Sequence, residues 1–218
     1  MKTFLGIGAG PGMGLATAER FAREGFRVIL SARNEAKTRE LARRLTNKDH
    51  RVEVRRVDVG SPADVAALVS KVEGEFGGVD VMHFNVASMR KATLIEQPLE
   101  TFNSDLAVNI GGAMAAAQAA APKMIARGSG SILLTGGGYA LRPNPDYLSL
   151  SIGKAGIRAL ALGLFESFKA LGVHVAIVTV AGAIETAADA SAVAEQFWRL
   201  HAQPAGAWEV EAIYTPAN

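Results

Sequence analysis

Short apolar runs alternate with longer amphipathic stretches along this chain. Thr3–Gly8, Phe26–Ser31, Val79–Phe84, Ser131–Thr135 and Val173–Val180 are rich in valine, isoleucine and leucine. Runs this continuous suit strands of a parallel sheet buried on both faces. Arg51–Val57 differs, because Val52, Val54 and Val57 stand among charged residues, as in a strand nearer an edge. Helical segments lie between the runs. Leu15–Glu24 is stopped by Gly25, and Glu35–Leu45 follows the capping residue Asn34. Pro62–Phe76 follows Ser61, with proline at the first helical position. Pro98–Arg127, rich in alanine, and Pro145–Leu171 are longer; a helix around Ala190–His201 precedes a last strand near Trp208–Tyr214. This alternation predicts a three-layer, doubly wound parallel α/β sheet of about seven strands with right-handed crossovers. No linker, repeat or low-complexity segment interrupts it, so residues 1–218 read as one domain.

Composition changes this picture little. Hydrophobic residues make up 49% of the chain, enough for one large core. The net charge of +2 is too small to argue for nucleic acid, and the basic stretch Lys37–Arg44 reads as a solvated helix face. Without cysteine there is no disulfide, thiolate nucleophile or zinc–thiolate site. His50, His83, His174 and His201 are scattered without metal-ligand spacing, so no metal is expected, and His83 reads as a core residue of the fourth strand. Met1–Leu5 leads straight into a glycine turn, with no signal-peptide pattern, and no apolar run reaches the length of a membrane span. A cytoplasmic protein with no membrane partner is the expectation.

The turn Gly6-Ile7-Gly8-Ala9-Gly10-Pro11-Gly12-Met13-Gly14 joins the first strand to the first helix. Its spacing is G-x-x-x-G-x-G on Gly8, Gly12 and Gly14. Residues without a Cβ let backbone N–H groups approach a pyrophosphate, and the helix N-terminus adds a favourable dipole. This is the arrangement of a Rossmann dinucleotide site. The second strand ends Ser31-Ala32-Arg33-Asn34. A site for NAD wants a carboxylate about there to hold the ribose 2′-hydroxyl, whereas Arg33 would pair with a 2′-phosphate. NADP(H) is therefore favoured over NAD(H).

These motifs resemble the short-chain dehydrogenase/reductase family along nearly the whole chain. The family turn T-G-x-x-x-G-x-G is matched at Gly8, Gly12 and Gly14, with Ile7 replacing the threonine. Asp58-Val59 corresponds to the adenine-contacting segment, and Phe84-Asn85-Val86-Ala87 is a partial match to N-N-A-G. Asn109 corresponds to the active-site asparagine and Lys154 to the lysine of Y-x-x-x-K. Ala181-Gly182-Ala183-Ile184-Glu185-Thr186 corresponds to P-G-x-V-x-T. The resemblance implies that the cofactor is held by Gly8, Gly10, Gly12, Met13 and Gly14 at the turn and by Arg33, Asn34, Asp58 and Val59 around the adenosine. Asn85, Ala87, Lys154, Gly182, Ile184 and Thr186 then surround the nicotinamide end, with Lys154 on the ribose and Thr186 on the carboxamide.

Two departures stand out. Leu150 occupies the position of the family's catalytic tyrosine, four residues before Lys154, and Gly137 that of its catalytic serine. Asn109 and Lys154 are thus the remnants of a tetrad whose substrate-touching members are missing. Carbonyl reduction needs a proton at oxygen from a group that titrates near working pH, and leucine cannot titrate. Tyr147, on the expected first turn of the helix begun by Asn144-Pro145, is the substitute weighed against aromatic packing at the pocket rim. The expected activity is an oxidoreductase acting on a carbonyl or alcohol; the alternative is a catalytically silent dinucleotide-binding protein, and a lyase or epimerase is a weaker third.

Small residues on every face of Ala113–Ala121 permit close helix approach, and the family commonly pairs subunits through this helix. A homodimer or homotetramer is expected. The segment after Thr186 that carries the family's substrate lid is short. Phe197, Trp198 and Trp208 read either as pocket lining or as ordinary packing.

Overall fold

The computed structural model describes residues 1–216. Its sheet contains β1 (Thr3–Ile7), β2 (Arg27–Ala32), β3 (Val52–Arg56), β4 (Val81–Phe84), β5 (Gly130–Thr135), β6 (Val173–Val180) and β7 (Glu211–Tyr214). The strand order is β3-β2-β1-β4-β5-β6-β7, and every neighbouring pair is parallel. The charged, alternating β3 lies at one edge, as its pattern predicts. Chain order reverses between β1 and β4, opening a crevice beyond the strands' carboxyl ends, where open α/β sheets bind ligands.

The helices are α1 (Met13–Arg23), α2 (Glu35–Thr46), α3 (Pro62–Phe76), α4 (Leu99–Leu106), α5 (Gly112–Arg127), α6 (Leu148–Lys169) and α7 (Ala187–Ala202). Successive strand residues point to opposite faces, which divides the core into two layers. On one face Leu5, Ile7, Met82, Phe84 and Ile132 pack with side chains of α3, α5 and α6. On the other, Phe4, Val28, Leu30 and Phe197 pack with α1, α2 and α7. Phe4 stacks on Phe21 with ring centroids 4.6 Å apart, and both are fully buried. Burying a side chain of that size contributes about 1.5–3 kcal/mol. The capping predictions hold at α2 and α3: Asn34 accepts from Lys37 N at 3.0 Å and Ser61 from Asp64 N at 3.2 Å.

Two expectations are corrected, and a third is refined. The long helix predicted over Pro98–Arg127 is interrupted by a π-helical turn at Ala107–Gly111, between α4 and α5. The helix expected to begin at Pro145 begins at Leu148, with Tyr147 at its N-cap. Asn144 caps a separate turn instead, accepting from Asp146 N at 2.9 Å, while Ala92 N donates to Asp146 O at 2.8 Å and pairs the segment with the loop after β4. Finally, α6 is long and apolar enough to cross a bilayer by length and composition. It packs in the core instead, with Ile157 and Ala161 fully buried.

Candidate active site

The glycine turn is shaped by two close approaches. Gly8 has φ +92°, and a Cβ there would collide with the Asn85 carbonyl; a Cβ on Gly14 would lie 2.7 Å from Gly8 O. The Asn85 side chain closes the same corner by donating to Gly8 O at 3.1 Å. At Gly10 and Gly12, by contrast, an added Cβ would meet nothing within 4 Å. Those positions leave an open cradle above the N-terminus of α1, which has no side-chain cap. Free backbone N–H groups and the helix dipole fit a pyrophosphate there.

Beyond the turn, Arg33 and Asn34 follow β2 and are exposed. Among the described residues Arg33 makes no ion pair, which leaves its guanidinium available to a phosphate. Asp58 accepts from Gly60 N at 3.0 Å, and Val59 is buried where Gly112 lets α5 approach its carbonyl.

From this turn an open cleft of about 730 Å³ runs across the ends of β4, β5 and β6. Met13, Asn85, Ala87, Lys154, Gly182 and Ile184 line it, as the family resemblance implies, together with Gly137 and Leu150. Asn109 lies behind this wall, buried in the π-helical turn. Its Oδ1 accepts from Ser88 N at 2.6 Å and its Nδ2 donates to Ser88 O at 3.3 Å. Gly153 lets α6 press against Asn109, since a Cβ there would collide with its side chain. The π-helical turn thus holds the loop after β4 by its backbone.

Lys154 is buried, and its Nζ donates to Thr135 O at 2.8 Å. No carboxylate pairs with it among the described residues. Burial therefore pushes the amine down to about 8, because the charged form loses hydration without gaining a counter-ion. A Cβ on Gly137 would lie 3.3 Å from Lys154 Cγ, so the Gly137 backbone borders the buried lysine stem directly. His83 sits within β4, with Nε2 3.1 Å from Thr135 Oγ1, and burial pushes it down to about 3. It is the core histidine the sequence suggests.

Other predicted residues lie elsewhere. Thr186 is outside the cleft lining, and its hydroxyl donates to Asp189 Oδ2 at 2.7 Å in the capping box of α7. Tyr147 does not line the cleft either. Its place at the N-cap, rather than on a first helical turn, sets its ring against Tyr139 with centroids 5.7 Å apart. Tyr139 lines the cleft, and its hydroxyl accepts from Asn144 Nδ2 at 3.4 Å. Sequence reasoning missed it, although it stands two residues after Gly137. Phe197, Trp198 and Trp208 are packing residues: Phe197 meets His83, Trp198 meets Phe21 and Trp208 stacks on His174.

A second polar cluster supports the site from below. Asp105, almost fully buried, accepts from Ser88 Oγ at 2.5 Å, Arg90 Nε at 2.9 Å, Gln97 Nε2 at 3.0 Å and Ser149 Oγ at 2.9 Å. Burial raises its carboxyl, but the hydrogen bonds from Ser88, Arg90 and Ser149 outweigh this and hold it below the usual range. The cluster ties the loop after β4 to α6 one residue before Leu150.

A parallel sheet in this order, an open glycine turn and a buried lysine across a cleft define a dinucleotide-dependent oxidoreductase scaffold. The sequence matches the family model described as short chain dehydrogenase over residues 2–196, and the chain belongs to that family. An uncharacterized oxidoreductase of Thermotoga maritima is 32% identical over 186 residues, covering 85% of this chain and 72% of that protein. A short-chain dehydrogenase from Rhodopseudomonas palustris has 26% identity and a TM-score of 0.91, each chain being 99% covered. A metagenomic short-chain oxidoreductase, solved in complex with NADP, matches in fold at 24% identity and a TM-score of 0.91, covering 100% of this chain and 97% of that one.

Proposed function

We propose that this chain is an NADP(H)-dependent oxidoreductase acting on a carbonyl or alcohol substrate in the cleft beside Lys154. The observation that carries the reading is the buried Lys154 amine, held by Thr135 O without a counter-ion and placed at the cleft wall. Gly10 and Gly12 leave room for the pyrophosphate, Arg33 is free for a 2′-phosphate, and Lys154 is free for the ribose hydroxyls of the nicotinamide end. The metagenomic neighbour's bound NADP supports the same choice of cofactor. Bound there, the dinucleotide supplies or accepts a hydride. The chain's own part is to orient it, hold the substrate against the apolar wall and move one proton at the substrate oxygen. In this reading Tyr139, rather than Tyr147, supplies that proton, because it is the phenol that lines the cleft.

Gly137 and Leu150 favour a second reading, a protein that binds the dinucleotide without turning it over. NADPH titration by fluorescence, followed by absorbance assays on carbonyl and alcohol panels, separates the two. Tight binding without turnover on any substrate would refute the enzyme reading; recovery of turnover in Gly137→Ser with Leu150→Tyr would locate the deficit at the proton-transfer positions. The reading also includes a homodimer or homotetramer, supported by exposed Met114 on α5 and Ile152 and Leu162 on α6. Light scattering on the purified chain tests it.

A further inference from the structure

We propose that Lys154 is a covalent capture site for apolar aldehydes, formed when the cleft holds no dinucleotide. This goes beyond the oxidoreductase reading and does not depend on it.

Three observations carry the inference. First, among the described residues Lys154 is the only side chain lining the cleft that carries charge: there is no aspartate, glutamate, arginine or histidine beside it. An anionic or strongly polar ligand finds one partner there, whereas an apolar body finds Leu150, Val86, Val180 and Ile184. Second, the Lys154 stem is bordered in the cleft by glycine backbone and an apolar side chain: a Cβ on Gly137 would lie 3.3 Å from its Cγ, and Leu150 lines the same wall. Third, the amine has a single partner, the Thr135 carbonyl at 2.8 Å, and no carboxylate to hold it as an ammonium ion. Burial without an ion pair increases the share of free amine near neutral pH, which is the nucleophilic form.

The step balances without a redox partner. The Nζ lone pair attacks the aldehyde carbon, and the C=O π pair moves to oxygen. A proton passes from nitrogen to that oxygen through water in the open cleft, giving a carbinolamine. The C–O bond then breaks, water leaves with the second amine proton, and a C=N bond remains. An aldehyde is the better electrophile than a ketone here because its carbonyl carbon bears one substituent and is less crowded when the amine attacks.

The test uses the purified full chain, free of dinucleotide, and 2-naphthaldehyde with cyanoborohydride to fix any imine as a secondary amine. Peptide mass spectrometry then ranks the labelled lysines. Lys154 should be modified about tenfold faster than exposed Lys37, Lys71 or Lys123, with a rate that saturates as aldehyde increases. Gly137→Leu, which crowds the Lys154 stem from an extended backbone position, should slow labelling of Lys154 and leave the surface lysines unchanged. Labelling confined to surface lysines, or a Lys154 rate untouched by Gly137→Leu in a protein that still folds by circular dichroism, would overturn the proposal. NADPH affinity is measured separately, so failure of the cofactor reading and failure of aldehyde capture are distinguishable.

Discussion

Lys154 donates its amine to the carbonyl of Thr135 at 2.8 Å, and this contact joins α6 to the end of β5 without an ion pair. The folded amine titrates near 8, below the value of about 10.5 for an exposed lysine, so the native state binds fewer protons between those values. The desolvation cost is fully present below about pH 8 and fades as pH rises toward 10.5. Lys154→Met should therefore stabilise the dinucleotide-free protein at pH 7 by on the order of 2 kcal/mol: about 2.5 pKa units at about 1.4 kcal/mol each, less about 1 kcal/mol for the lost hydrogen bond to Thr135. Urea denaturation at pH 7 and pH 10 checks this: the gain should shrink at the higher pH.

Asp105 has the opposite sign. Its carboxyl is held below the ordinary range, so its contribution is complete above about pH 4 and is lost as pH falls through the lower folded value. Asp105→Ala leaves the Ser88, Gln97 and Ser149 donors without their acceptor. A loss of about 2–4 kcal/mol is expected. Hydrogen exchange should speed up first in residues 88–97 if the carboxylate anchors that loop; uniform acceleration would show that it does not.

At the turn, Gly8→Ala places a methyl group against the Asn85 carbonyl on a backbone with φ +92°. Expected destabilisation is on the order of 2–3 kcal/mol or more, read from the thermal midpoint. Gly12→Ala meets open space and should fold normally while weakening dinucleotide binding. Equal affinity in wild type and Gly12→Ala would remove the pyrophosphate from this cradle.

Cofactor choice rests on Arg33. Arg33→Ala should weaken NADPH binding by about tenfold or more and NADH binding much less, since a charge-assisted contact contributes about 1.5–3 kcal/mol. Fluorescence titration of both dinucleotides decides it; equal losses would place the guanidinium away from the 2′-phosphate.

How far the sequence could be read depended on the range of the forces involved. The bounds of α3 and β6 match their predicted spans residue for residue, because Ser61, Pro62 and an unbroken apolar run are local signals. The start of α6 was not legible. Asn144-Pro145 carries a genuine capping signal, but pairing of Ala92 with the 146–147 backbone, distant in sequence, extends the segment and delays the helix. The π-helical turn was hidden for the same reason: Asn109 bonds to Ser88, and no helical period records that. Tyr139 was missed because its importance follows from Tyr147 being turned aside, a consequence of the later helix start.

Gly136, Gly137 and Gly138 line the cleft, yet they differ in what an added side chain would meet. A Cβ on Gly136 would lie 2.8 Å from Thr179 Oγ1, and one on Gly138 would lie 3.1 Å from Ala181 Cα, both within packed structure. Only Gly137 faces the flexible stem of Lys154. Evolution therefore has one open door in this wall: glycine codons ending in a pyrimidine become serine by a single base change, whereas leucine at 150 is more than one base change from tyrosine. A lineage exploring this cleft reaches a hydroxyl at 137 before it reaches a phenol at 150, so its nearest variants place a polar group beside the Lys154 stem first.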